Sequence, residues 1–190
     1  SFETDYVDLG MMFFIETEDD FRGVFETDYI DYVQQLKQDG TIRAIGASSH
    51  NAATAARVVE TGVIDLLMFS VNPAFDMMPA DADVFSFFEA EPNRDNYLAI
   101  DPGRAALYTL CANKGVAITT MKTYAAGKLL TPEFSPFAAP LSAAQCIHYA
   151  LTRPAVVSTL IGCKTGGEVL EAVSYLSKSD EERDFSEAIR

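Results

Sequence analysis

The chain has no tryptophan, two histidines and three cysteines, and its 14 Lys+Arg are outnumbered two to one by 28 Asp+Glu. Each scarcity narrows function. A formal net charge of -14 repels phosphate backbones, which excludes broad nucleic-acid binding and leaves room for one local phosphate pocket. Cys111, Cys146 and Cys163 are an odd number at wide spacings, without a CxxC or a grouping with His50 or His148. That pattern offers neither a disulfide framework nor a zinc site and fits a reduced, cytoplasmic setting. No apolar run approaches the ~20 residues of a membrane span, and no basic-then-apolar leader opens the chain. It opens instead at Ser1, almost inside a strand signal, which is what a piece of a longer protein would show.

What is present is ordinary for a globular chain: 190 residues, 48% hydrophobic and 22% charged, enough for one core and one domain over 1–190. The organising stretch is 39–51, DGTIRAIGASSHN. Asp39-Gly40 is a turn pair ending a helix. Ile42, Ala44, Ile45 and Ala47 form a short apolar run suited to a parallel strand covered on both faces. Ser48, Ser49, His50 and Asn51 follow, and residues from 52 to Gly62 read as a helix that one of these polar side chains caps. Polar groups at the carboxyl end of a parallel strand either cap the next helix or face a ligand.

The same pattern recurs along the chain. Residues 6–15 read as a first strand, too apolar in its second half for a wet face and therefore central; 16–20 read as an acidic loop. Thr27-Asp28 opens a helix through Ile30, Val33 and Leu36. FETDYVD at 2–8 recurs as FETDYID at 25–31, but the downstream periodicities differ, strand in one case and helix in the other, so this is no structural repeat. Residues 64–71 make a strand ending at Asn72-Pro73. Residues 74–101 read as a long loop with a short helix, the sort of place where pockets and lids are built. A helix over 102–113, a strand over 116–121, a helix over 141–153, a strand over 156–161 and a final helix from 168 complete the series. Strands at 6–15, 42–47, 64–71, 116–121 and 156–161, each followed by a helix or helical loop, imply a parallel sheet. Five such units suit either the second half of an eight-stranded barrel or a complete doubly wound sheet.

Lys122 at one strand end and the turn GCKTGG at 162–167 after the last strand are the candidate phosphate groups, because a Gly-rich turn opening a helix presents N–H groups and the positive end of its dipole. The spacing matches neither a Walker nor a Rossmann fingerprint. His50 suits helix capping or a loop hydrogen bond as well as proton transfer, and His148 reads as a helix-surface or satisfied core histidine. The cysteines read as small buried hydrophobes, with Cys163 beside a helix start. Tyr124 is the tyrosine nearest a strand end. The carboxylates are scattered and suggest no acid/base pair.

Taken in order, DYVDLGMMFF, GTIRAIGASSHN, IDLLMFSVNP, GVAITTMKTYAAGKLL and VVSTLIGCKTGGEVLEAV resemble strands four to eight of the aldo/keto reductases, in particular a bacterial branch with Met-Lys after strand seven. The resemblance covers nearly the whole chain. It implies a partial TIM barrel of parallel β/α units, the second half of a (β/α)8 barrel lacking its first three units. It also implies a nicotinamide cofactor, NADP or NAD, stretched across the carboxyl-end rim, and a small-molecule carbonyl substrate in the parent enzyme.

By the same resemblance Ser48 and Ser49 meet the nicotinamide amide, with Ser49 where asparagine is usual and Met68 where glutamine is usual. Met121, Lys122 and Tyr124 lie along the nicotinamide and pyrophosphate, Gly162, Cys163, Lys164 and Thr165 hold the adenosine phosphate, and Glu171 sits near adenine. Glu168 stands where an arginine commonly grips a 2′-phosphate. Phe13 of MMFF stands where the family has its active-site histidine, and the family's Asp, Tyr and Lys belong to strands ahead of this sequence, so no member of the catalytic tetrad is present. Two functions follow: part of a carbonyl-reducing oxidoreductase, or a noncatalytic barrel-derived module that binds a nucleotide or a partner chain. Open sheet edges predict self-association.

Overall fold

The computed structural model describes residues 3–80, 82–89, 97 and 99–189. Five strands, β1 (Val7–Met12), β2 (Ile42–Ser49), β3 (Leu66–Ser70), β4 (Ala117–Met121) and β5 (Val156–Thr159), form one sheet in chain order, and every neighbouring pair is parallel. A doubly wound sheet reverses its strand order at a switch point. This sheet does not, so the order is that of successive units in a β/α barrel.

Between the strands lie α1 (Glu18–Phe25), α2 (Asp28–Gln38), α3 (Ala52–Glu60), the short α4 (Pro73–Asp76) and α5 (Ser86–Glu89), α6 (Pro102–Lys114) and α7 (Ala143–Leu151), with α8 (Gly166–Ser174) and α9 (Asp180–Arg183) after β5. Their ends obey local chemistry. Thr27 caps α2, Asn51 caps α3 through Thr54 N, and Asn72 caps α4 with Pro73 in its first turn. Gly40, Gly62 and Gly115 take left-handed φ after α2, α3 and α6, where an alanine costs about 1 kcal/mol.

One face of the sheet is the core. Ile45 and Ala47 of β2, Leu67 and Phe69 of β3 and Ile118 of β4 are all buried against the helices, each large side chain worth roughly 1.5–3 kcal/mol. The alternate residues, Leu9, Met11, Ala44, Leu66, Met68, Ala117 and Met121, are half-buried on the other face. A second apolar cluster, including Phe75, Val84, Phe87, Leu129, Phe137 and Leu141, lies over the carboxyl ends of the strands and ties the loops after β3 and β4 together.

Three expectations are corrected. β1 stops at Met12 rather than residue 15, because Phe14 turns to φ 63° and its N–H donates to the Ser48 side chain; Phe13 is left 82% exposed. β1 is also an edge strand rather than a central one, since β2 is its sole partner among the described residues. Residues 16–20 are not a loop throughout: Thr17 and Asp20 form a reciprocal capping box, and α1 begins at Glu18 with three acids in its first turn, where the helix dipole favours them.

Candidate functional site at the carboxyl-end rim

The loops leaving β4 and β5 enclose a cavity of about 530 Å³ that includes Lys122, Tyr124, Gly162, Cys163, Lys164, Glu168 and Glu171 in its wall. The sequence brought most of these forward separately, and the parallel pairing of β4 with β5 brings them together. Lys122 holds φ 60°, a strained conformation for a non-glycine residue, fixed by Asn72 Nδ2, which donates to the Lys122 carbonyl at 2.9 Å. Beneath it, Thr120, Thr123 and Thr159 share hydroxyl hydrogen bonds, 2.8 Å from each of the first two to Thr159, that clamp the Lys122–Tyr124 turn to β5. The Thr trio was not anticipated from sequence.

Tyr124 brings a buried hydroxyl with no hydrogen-bond partner among the described residues. Burial pushes its ionisation upward, and Cys146, Cys163 and Glu171 add to the effect. A buried hydroxyl without a partner costs on the order of 1–3 kcal/mol, so this atom is ready for a ligand group. At the other wall Thr165 caps α8 by accepting from Glu168 N at 3.2 Å, while the Glu168 carboxylate accepts from Lys164 N at 2.6 Å. A carboxylate thus already sits on the Gly-rich turn where an anion would bind.

The remaining anticipated residues lie elsewhere. Met121 ends β4, half-buried, opposite Ser70 of β3. Ser48 and Ser49 are the buried last residues of β2; Ser48 Oγ accepts from Phe14 N at 2.7 Å, and Ser49 Oγ donates to Asn51 O at 3.2 Å. Cys111 and Cys146 are buried and their thiols pushed up to about 12 by burial, whereas Cys163 is partly exposed. His148 Nδ1 lies 3.3 Å from the Tyr175 hydroxyl. Among the described residues no cluster of His, Cys, Asp and Glu is placed to hold a metal, and no helix is long and apolar enough to cross a membrane.

Sequence reasoning missed an acid–imidazole pair. Glu16, just past β1, and His50, just past β2, meet because those strands are neighbours in register. The His50 Nδ1 lies 2.8 Å from Glu16 Oε1, and the same carboxylate accepts from the backbone N–H groups of His50 at 2.9 Å and Asn51 at 3.1 Å. A carboxylate accepts only, so Nδ1 carries the proton, an arrangement that in the neutral tautomer leaves Nε2 as the acceptor. Among the described residues His50 Nε2, which is buried, has no partner. The signal was an acid a few residues after one parallel strand and a histidine directly after the next.

No protein-family model matches the chain, and no curated protein matches it. Solved structures do. The holo form of aldo-keto reductase AKR11C1 from Bacillus halodurans aligns with a TM-score of 0.64 and 20% identity over 95% of this chain and 60% of its own. The thermostable aldo-keto reductase Tm1743, solved with the inhibitor epalrestat, gives 0.60 and 15% over 99% of this chain and 61% of its own. MGS-M4, an aldo-keto reductase from a Medee basin deep-sea metagenome library, gives 0.55 and 13% over 95% and 59%. At such identities the likeness is one of fold, and it covers little more than half of each of those chains: the protein has the fold of five consecutive β/α units of the aldo-keto reductase barrel.

Proposed function

We propose that the chain is the cofactor-holding part of an aldo/keto reductase-like oxidoreductase, binding NAD or NADP along the carboxyl-end rim of its strands. The observation that carries this reading is the convergence of Lys122, the partnerless Tyr124 hydroxyl and the 162–164 turn on one cavity at adjacent strand ends. In this reading Lys122 faces the pyrophosphate, Gly162, Cys163, Lys164 and Thr165 the adenosine phosphate, and Glu171 the adenine. Ser48, Ser49 and Met121 border the nicotinamide, whose ring supplies the hydride for a carbonyl substrate. Phe13 offers no proton and no hydrogen bond, so the proton donor of the whole enzyme belongs to barrel units other than these five.

Phe13, 82% exposed at the position where the resemblance calls for histidine, also favours a second reading, a noncatalytic nucleotide-binding module. Titration calorimetry with NADH and NADPH, paired with an absorbance assay for oxidation of the reduced cofactor by an aromatic aldehyde, separates the two. The first reading expects binding that weakens about tenfold, ~1.4 kcal/mol, in Lys122→Ala. Affinity unchanged by that substitution, or no binding at all, overturns it. Binding without turnover by an enzyme that also carries the remaining barrel units favours the second reading.

A further inference from the structure

The Glu16–His50 pair has no part in the cofactor reading, and the space beside it is separate. A cavity of about 320 Å³ is lined by Phe14, Glu16, His50, Asn51, Val84 and Phe85 among others, and it shares no lining residue with the larger cavity. Phe85 is close to groups of both cavities: its ring centroid is 5.0 Å from that of His50, and Lys122 Nζ, a lining group of the larger cavity, lies 5.6 Å from it. Phe14 meets the imidazole edge-on at 5.8 Å.

We propose that this is a second small-molecule site, in which His50 Nε2 accepts a hydrogen bond from the hydroxyl of a compact phenol or aromatic alcohol whose ring packs with Phe14 and Phe85. The chemistry of the walls selects that class. His50 is 8% exposed and its Nε2 is screened without a partner among the described residues, whereas buried side-chain polar atoms in folded proteins mostly have one. The Glu16 carboxylate fixes Nδ1 as the donor, so the open position calls for a donor and rejects a bare carbonyl. Glu16 and Asp83 in the wall disfavour anions, and two phenylalanine rings favour a flat apolar body in offset or edge-on contact. The volume lies at the lower end of ligand pockets. Nε2 is screened in this structure, so the incoming hydroxyl reaches it as neighbouring side chains shift.

The test is a nitrogen-15 and proton NMR titration of the full 190-residue chain with phenol, and in parallel with toluene, which has the same shape without the donor. Phenol is expected to shift the His50 Nε2 resonance together with signals of Phe14 and Phe85, and to bind about fivefold or more tightly than toluene. The preference should vanish in His50→Phe and fall in Glu16→Gln, where the tautomer is no longer held. Equal affinities for the two probes, shifts confined to other parts of the chain, or a preference that survives His50→Phe each overturn the proposal. Should either variant not fold, the wild-type Nε2 shift decides: a resonance unmoved at saturating phenol rejects the site.

Discussion

The Tyr149 hydroxyl donates to Asp76 Oδ2 at 2.9 Å, linking α7 to α4 across the chain. The other carboxylate oxygen accepts from Arg104 Nε at 3.0 Å and from the Tyr108 hydroxyl at 2.5 Å, and Arg104 Nη2 donates to the Ser70 carbonyl. Asp76 is 0% and Arg104 1% exposed. With the two tyrosines, this charge pair ties three helices to the end of β3.

Removing one member of such a pair leaves a buried charge uncompensated. Arg104→Met should lower unfolding stability by about 3–5 kcal/mol, whereas Tyr149→Phe, which leaves Asp76 its other donors, should cost about 1–2 kcal/mol. Urea unfolding of the two variants checks the order; equal losses would mean that the tyrosine and the arginine are not held by the same carboxylate.

Stability should fall above pH 9. Burial pushes the Cys111 and Cys146 thiols up to about 12 from 9.0, and burial with Asp76 nearby raises the Tyr108 and Tyr149 phenols. Above the unfolded values the unfolded chain has released these protons and the native chain has not, so each such group removes about 1.4 kcal/mol of stability per pH unit. Unfolding midpoints measured from pH 8 to 10.5 should drop with rising steepness. A thiol reagent at pH 8 should label one cysteine of three quickly, the partly exposed Cys163.

Gly46 lies opposite Met11 in the β1–β2 register, and a Cβ there would meet the Met11 sulfur at 2.2 Å. The thioether tail can move, so Gly46→Ala should cost only about 1–2 kcal/mol. Gly46→Val should cost more, and Met11→Ala should rescue much of the loss from Gly46→Ala. Thermal unfolding of the three variants tests this, and absence of rescue would place the strain in the backbone instead.

Much of this architecture was legible because the strands are short apolar runs bounded by Gly, Pro and polar caps, as at Asp39-Gly40 and Asn72-Pro73, and caps act within a few residues. The end of β1 was misread because Phe13 and Phe14 continue the apolar run while the backbone turns at φ 63°. α1 was missed although Thr17 and Asp20 have capping-box spacing, since three consecutive acids suggested a loop. The Glu16–His50, Asp76–Arg104–Tyr149 and Thr120–Thr123–Thr159 groups join residues 34, 28 to 73, and 36 to 39 positions apart, and only the strand register and the helix docking bring them into contact.

Self-association should rise with concentration. α8 has no buried residue; Leu170 and Leu176 are 73% and 77% exposed, and Val157 of the edge strand β5 is 65% exposed. Such an apolar surface tends to be covered. Sedimentation velocity over a hundredfold concentration range should show mass growth that Leu170→Glu with Leu176→Glu reduces. A monomer throughout would show that these leucines tolerate water here.

Cofactor preference should follow the charge at Glu168. In the proposed site this carboxylate accepts from Lys164 N at 2.6 Å on the turn assigned to the adenosine phosphate, with Glu171 in the same wall. A 2′-phosphate would bring further negative charge beside two carboxylates, and Lys164 offsets one of them. At an effective dielectric near 20, like charges 4 Å apart repel by about 4 kcal/mol, and exposure and salt reduce this severalfold. NADH should therefore bind more tightly than NADPH. Glu168→Gln should narrow the gap and Glu168→Arg reverse it, with NADH affinity changed by less than about threefold, ~0.7 kcal/mol. Lowering the salt should widen the wild-type gap, because screening is weaker. NADPH preferred by the wild-type chain, or a preference insensitive to Glu168, would place the 2′-position away from α8.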